Sequence, residues 1–545
     1  MRIPVTAVSA LFVLIVSAPA TAQDAPRIGE VEFATTCEEG VSDDFNRAVA
    51  LLHSFEFAES RQTFEAVAAA DPGCAMAHWG VAMTYYHPLW APPTARDLQS
   101  GAAAAHTAQE LASSEREAGY AEAIATFYRD HVTLDHRTRA IAYEQAMEAV
   151  SSANPDDPEA ALFHQLAVLS NADPRDKEYT VQRATGAFFE EMFVKLPDHP
   201  GIAHYIIHSY DYPPLSAKAV PAAYRYLQIA PDLAHAVHMS GHIFTQEGMW
   251  DASITANTRS AVNARHAGED PAVLVQAQLG EMHALDYQIY AFLQQGRIDE
   301  ARRIVEYVAG VQDLHWENGV VAFNGGAIPV RYAMERHAWD EAAALPEASD
   351  IEAAAEGYEA RAAVALRHWA RAVGAARMGD VESAREDLAR VTEIAEESKD
   401  HPSVWLRSTT EVLRLEAAAW LALAEGDSEL ALERMVAAAT IEDQTAKSGL
   451  SPGRVLPVHE QIGDLLMELG RPDEAFGEYE VSLSHAAGRY NSYLGMARAA
   501  REAEMEMEAA TAYGLLLELI AGDRARPEVA EALEYIGGPH YSRER

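Results

Sequence analysis

The chain has 545 residues, 49% of them hydrophobic, which argues against general disorder and leaves room for a large core. Its formal net charge of −41 argues against nucleic acid or an anionic membrane as partner, because phosphate binding needs clustered Lys and Arg. An acidic surface otherwise marks only solubility.

Residues 1–22 have the form of a signal peptide: Arg2, the apolar run VTAVSALFVLIVSA, then the small residues ATA before Gln23. That run is too short to span a bilayer and no other stretch is longer, so the expectation is export to a bacterial periplasm or the medium, without stable membrane insertion. Residues 23–45 follow as a leader. The only two cysteines, Cys37 and Cys74, can form one bridge in an oxidising compartment, tying the leader to the first helical unit. Two unpaired buried thiols are the alternative.

Beyond the leader almost nothing reads as strand. Apolar residues recur at helical spacing, and turns of the GR-x-DEA kind punctuate them. One template recurs in FEFAESRQTFEAVAAADPGCAMAHWGVAMTYY (55–86), GRIDEARRIVEYV (296–308), GDVESAREDLARV (379–391), GDSELALERMVAA (426–438) and GRPDEAFGEYEVSL (470–483). Positions 88–93, PLWAPP, cannot continue a helix and predict a loop at a rim. The softest joint is 346–357, dividing an array over 46–345 from a plainer one over 358–545.

The 199–250 stretch holds six of the chain's 22 histidines. His204 and His208 stand four apart, as do His238 and His242, and the second pair follows the first by 34 residues. His235 precedes the second pair, and His283, Asp286 and Tyr290 take comparable places one unit later. Histidines at i and i+4 share one helix side about 5–6 Å apart at Cβ, a natural two-point chelate.

The units resemble the tetratricopeptide repeat (TPR) family. Ser60, Phe64 and Pro72 take the small, aromatic and proline places of the first unit; Gly463, Ala475 and Tyr479 are in register in the last clear one. The resemblance implies an all-α, right-handed α-solenoid with a concave groove, and 34 is then one repeat. It also implies that positions 2, 5 and 9 of each first helix line that groove. His235, His238 and His242 occupy those places in one unit, His204 and His208 positions 5 and 9 of the preceding one, and His283, Asp286 and Tyr290 those of the next. Arg331, at position 9 of the unit after that, adds a cation. The HYIIHSYD and HAVHMSGHIF succession also resembles uncharacterised exported bacterial TPR proteins, which supply no activity.

Neighbouring first helices pack at about 8–10 Å, a gap that imidazoles from both sides span at metal–nitrogen bonds of about 2.0–2.1 Å. The expectation is a transition-metal site of Zn, Cu or Fe from His204, His208, His235, His238, His242, His283 and Asp286. Tyr210 or Asp211 would orient a ligand from behind. Trp79, with Met83, Tyr86, His87 and Trp90, is a candidate aromatic wall closing one end of the groove, the alternative being that aromatics such as Tyr85 and Trp90 are ordinary packing between repeats. Lone histidines such as His53 read as core or surface, and His199 as a turn cap.

Two other readings stay open: a metal-free groove that recruits a peptide, protein partner or small molecule, and a metal-dependent hydrolase or oxidase. No HExxH, Walker loop, nucleophile elbow or dinucleotide fingerprint occurs, and Glu247 and Glu281 are acid/base candidates only by nearness.

Overall fold

The computed structural model describes residues 26–89, 92–268, 273–354, 357–445, 449–522 and 524–537. The signal segment 1–22 and Trp90 lie outside them. The described residues form 26 α-helices, two short 3-10 turns and no strand, and none of these helices is long and apolar enough to cross a membrane.

The protein is an all-α solenoid of TPR-like helix pairs, and the recurring turn shows why. Gly248, Gly296, Gly379, Gly426 and Gly470 each end a helix with φ between 65° and 89°, a left-handed conformation open to glycine. After Gly296 the next helix, Ile298–Gly310, carries Asp299 and Glu300 in its first turn, where the helix dipole favours them. Within a pair, a small residue lets an aromatic ring of the partner helix lie against backbone. A Cβ on Gly80 would sit 2.4 Å from the Phe64 ring, and one on Gly463 would sit 2.7 Å from Tyr479. Phe64, Ala475 and Tyr479 are buried, as the repeat register requires.

The helices that position the site are α1 (Ser42–His53), α2 (Pro158–Ser170), α3 (Pro200–Tyr210), α4 (Ala234–Gln246), α5 (Trp250–Ala267), α6 (Leu274–Gln294), α7 (Gly319–Met334), α8 (Tyr358–Arg377) and α9 (Val404–Ala424). Three apolar cores run along the chain, over 28–256, 250–328 and 322–532. α7 contributes to the second and third, so packing passes through it without a break. The segment 346–357 holds a short helix, Ser349–Ala354, whose Ile351 is buried towards Gly326.

The leader fills the first stretch of the concave face. It runs extended over 26–36, burying Ile28, Val31 and Phe33, and Cys37 is bonded to Cys74. Phe33 lies 5.4 Å from Trp79 and 5.3 Å from Tyr120. Trp79 is therefore core, covered by the leader and by Phe163, and the aromatic wall expected there is packing between repeats. Met83 and Tyr86 are likewise buried, the latter against Phe127 and Tyr143.

The C-terminal units return to the middle of the chain. Arg489, fully buried, donates to Glu335 (2.9 Å), to Glu460 (2.8 Å) and to the Tyr290 hydroxyl (3.1 Å). The Trp250 indole donates to the Gly488 carbonyl at 3.0 Å, and the Gln295 carbonyl accepts from Ala521 and Gly522. One guanidinium thus bridges two buried carboxylates from distant units. Arg489→Ala leaves Glu460 without its cation and Glu335 with only Arg331 at 3.9 Å, and is expected to cost about 3–5 kcal/mol. A denaturant midpoint within error of the wild type would show that the closure does not hold the array.

Candidate metal centre

α3 and α4 are first helices of successive units, and both are buried along nearly their whole length. The structure sorts the groove histidines into two groups of three. His204, His208 and His235 form one, and His238, His242 and His283 the other; within each group one ring nitrogen per residue lies within 4.8 Å of the others. Each group joins positions 5 and 9 of one first helix to position 2 of the next, so the second group repeats the first one unit along. The rings of His235 and His238, one from each group, are 6.5 Å apart. The sequence pattern predicts a single shared site; the superhelix makes two.

Polar partners fix the rings. In the first group the Nδ1–H of His204 donates to the His53 carbonyl at 2.7 Å, leaving its Nε2 3.0 Å from that of His208. In the second, Nδ1 of His238 faces Asn257 Oδ1 at 2.8 Å, and Asn257 is oriented by its own amide donating to Ser253. Nδ1 of His242 faces Asp211 at 2.7 Å, and Nδ1 of His283 faces Asn324 Oδ1 at 3.4 Å, with the Asn324 amide donating to Val320. In these four rings the acceptor behind Nδ1 favours the proton there and leaves Nε2 facing the groove.

The consequence is electrostatic. The Nε2 atoms of His238 and His242 are 2.9 Å apart, and with both Nδ1 atoms protonated they present lone pairs to each other. Positive charge between the rings, from a proton or a metal ion, relieves that contact, as does the tautomer that carries its proton on Nε2. Burial first, then the neighbouring imidazoles, push His204, His235 and His238 well below the ordinary histidine value and disfavour the proton. Two nitrogens 2.9–3.0 Å apart subtend about 90–95° at an ion about 2.0–2.1 Å from each.

The other predicted ligands are placed elsewhere. Asp286 is fully buried in an ion pair with Arg331 (2.9 Å), which removes it from the metal set and removes Arg331 as an unpaired groove cation. Arg331 also donates to the Gly453 and Arg454 carbonyls. Tyr290 accepts from Arg489 and lies under the Arg331 guanidinium at 5.1 Å. The buried Tyr210 ring packs over Gly186, on the side between helices, so it cannot orient a ligand. Asp211 meets a groove histidine of the following helix, His242, at 2.7 Å. His87 ends its helix in a left-handed conformation against Phe57, and burial pushes it down to about 4. Glu281 pairs with Arg265 and Tyr307, and Glu247 accepts from Ser216.

A buried polar cluster missed by the sequence reading lies behind the first group. Glu159 of α2 accepts from His53 Nε2 at 2.8 Å and from His199 Nε2 at 2.9 Å, while the Tyr205 hydroxyl meets His53 Nδ1 at 2.7 Å. The bonded pairs are 40 to 152 positions apart and carry no periodic signal. A fourth His-containing group, Asp443, His459 and His485, reads as an ion-pair network: partial burial opposes the charge on His459, but Glu478 and Asp443 hold it up to about 9.

No protein-family model matches the chain, and no curated protein matches it in sequence. Similar solved structures include yeast Tom70 (10% identity over 92% of this chain and 95% of that one, TM-score 0.33). Others are a human IFIT1 dimer with m7Gppp-AAAA (12% identity, 85% and 89%, TM-score 0.34) and the APC/C hetero-tetramer Cut9-Hcn1 (12% identity, 91% and 89%, TM-score 0.32). The fold description stands on the helices themselves.

The Glu159 cluster gives a stability test. Burial alone would raise this carboxyl, but the His53 and His199 imidazoles outweigh it and hold it far below the usual carboxylate range. A depressed carboxyl stabilises the fold above its ordinary value near 4.5 and loses that contribution progressively as pH falls from there. Glu159→Gln is therefore expected to melt several degrees lower at neutral pH, with the gap to wild type narrowing below about pH 4.5. A gap independent of pH would show that the carboxylate is not ionised in the fold.

Proposed function

We propose that the protein binds two transition-metal ions in its concave groove, one at His204, His208 and His235 and one at His238, His242 and His283, within an exported repeat scaffold. The observation that carries this reading is the His238–His242 contact, in which two Nε2 atoms stand 2.9 Å apart with a ring nitrogen of His283 within 4.8 Å of the pair. All six ligands are imidazoles, and the one expected carboxylate is engaged by Arg331. That set suits copper or zinc; the carboxylate that non-haem iron centres add to two histidines is missing from both groups. Asp211, Asn257 and Asn324 fix ring orientation from behind.

Three protein ligands leave a coordination position for water, oxygen or a partner's donor atom. The second group is closed off on its cavity side by the segment 449–454, whose Ser451 carbonyl accepts from Tyr287 at 3.1 Å. Tyr287 in turn stacks on His242 at 4.7 Å. Binding and presentation of the metal fit this covered position better than turnover of a substrate. The leader signal and the cysteine bridge support a periplasmic or secreted location.

Protein purified from its native compartment is expected to carry two equivalents of copper or zinc by elemental analysis. His204→Ala with His208→Ala removes one equivalent, and His238→Ala with His242→Ala removes the other, with helical circular dichroism retained. Asp211→Ala is expected to weaken only the second site, by about 10–100-fold. Absence of metal from protein that still binds none after dialysis against either ion defeats the reading and leaves a protonated imidazole pair.

A further inference from the structure

A cavity of about 560 Å³ lies between the two halves of the array, beyond the 449–454 segment from the histidines. Its walls come from the end of α4, from α6, α7, α8 and α9, and from residues within 177–179, 213–214, 442–445, 451–457 and 484–486. Aromatic and aliphatic side chains dominate: Tyr290, Phe323, Leu366, Trp369, Trp405 and Leu413. Phe323 and Trp405 meet edge to face at 5.4 Å. The volume suits a small molecule rather than a folded partner or a helix.

One buried ionisable group in this wall has no ion-pair partner. Glu416 is 1% exposed, and its direct partners are neutral: the Gln461 amide donates to Oε1 at 2.8 Å, and the Trp369 indole lies beside it. Gln461 cannot reverse, because its Oε1 already accepts from the Trp420 indole at 2.9 Å. Among the described residues no cation lies within salt-bridge distance of Glu416. The two arginines of the wall are committed, Arg331 to Asp286 and Arg454 to Glu442, while Lys177 stands at the exposed rim with Asp443 and His485. Burial raises the Glu416 carboxyl to about 8, with Arg454 opposing and Glu442 adding to the shift. A buried carboxylate is costly unless a cation meets it, and aromatic faces favour cations as well.

We propose that this cavity binds a small organic cation, an amine or quaternary ammonium on an apolar body, with its charge at Glu416 and its body against Trp405, Phe323 and Leu413. The site is separate from the histidine groups and does not depend on their metal.

Three probes of equal length test it by calorimetric titration of the full-length protein: 4-phenylbutylamine, 4-phenylbutanol and 4-phenylbutyrate. The amine is expected to bind at least about tenfold more tightly than the alcohol, and the acid most weakly. Glu416→Gln should weaken the amine by about tenfold and leave the alcohol within about twofold. Trp405→Ala, at a half-buried wall position, should weaken amine and alcohol together. Equal affinities for the three probes, no saturable binding of the amine, or an amine affinity unchanged in Glu416→Gln each overturns the proposal. Should Glu416→Gln fail to fold, the order of the probes on the wild-type protein decides alone.

Discussion

A solenoid unit cannot bury its apolar face by itself; it does so only against its neighbours, and that one-sided dependence fixes the rest of this protein. First helices must stack side by side in the same register, so residues at equivalent positions fall into a ladder along the groove. His204, His208 and His235 form one rung and His238, His242 and His283 the next. The following rung keeps the register and changes the chemistry, with Asp286 bound to Arg331 where imidazoles stood before.

The groove is subdivided by what lies in it. The leader covers the first stretch through Phe33 and passes α3, where a Cβ on Gly29 would come within 2.7 Å of Pro200. The histidines follow, and the 449–454 segment then crosses the face, tied to Arg331 and Tyr287. Beyond it lies the cavity. The return of the C-terminal units, closed by Arg489 between Glu335 and Glu460, is what brings 449–454 over a site built more than 150 residues earlier.

Orientation of the histidines comes from outside their own helices. The acceptors behind their Nδ1 atoms are a carbonyl at the end of α1, an asparagine on α5, an aspartate in the turn after α3 and an asparagine on α7. Each sits in a different element, so the orientation of these four rings is set by the packed array. A helix carrying the same histidines in isolation would leave those rings free to rotate and to exchange tautomers with water.

The fold was legible in the sequence because repeat packing is local. The glycine-ended turns, the small-against-aromatic pairs such as Gly463 and Tyr479, and the 34-residue spacing of the histidine pairs are all set by neighbours in the chain. The same periodicity placed His204, His208, His238, His242, His235 and His283 on one face. It could not say whether the rings share one point or two, nor that Asp286 belongs to Arg331, because those distances depend on the pitch of the superhelix. Nor could it show the leader over Trp79, the Glu159 cluster, or Glu416 facing a cavity. These join residues from distant units, and only long-range closure of the array brings them within reach of a hydrogen bond.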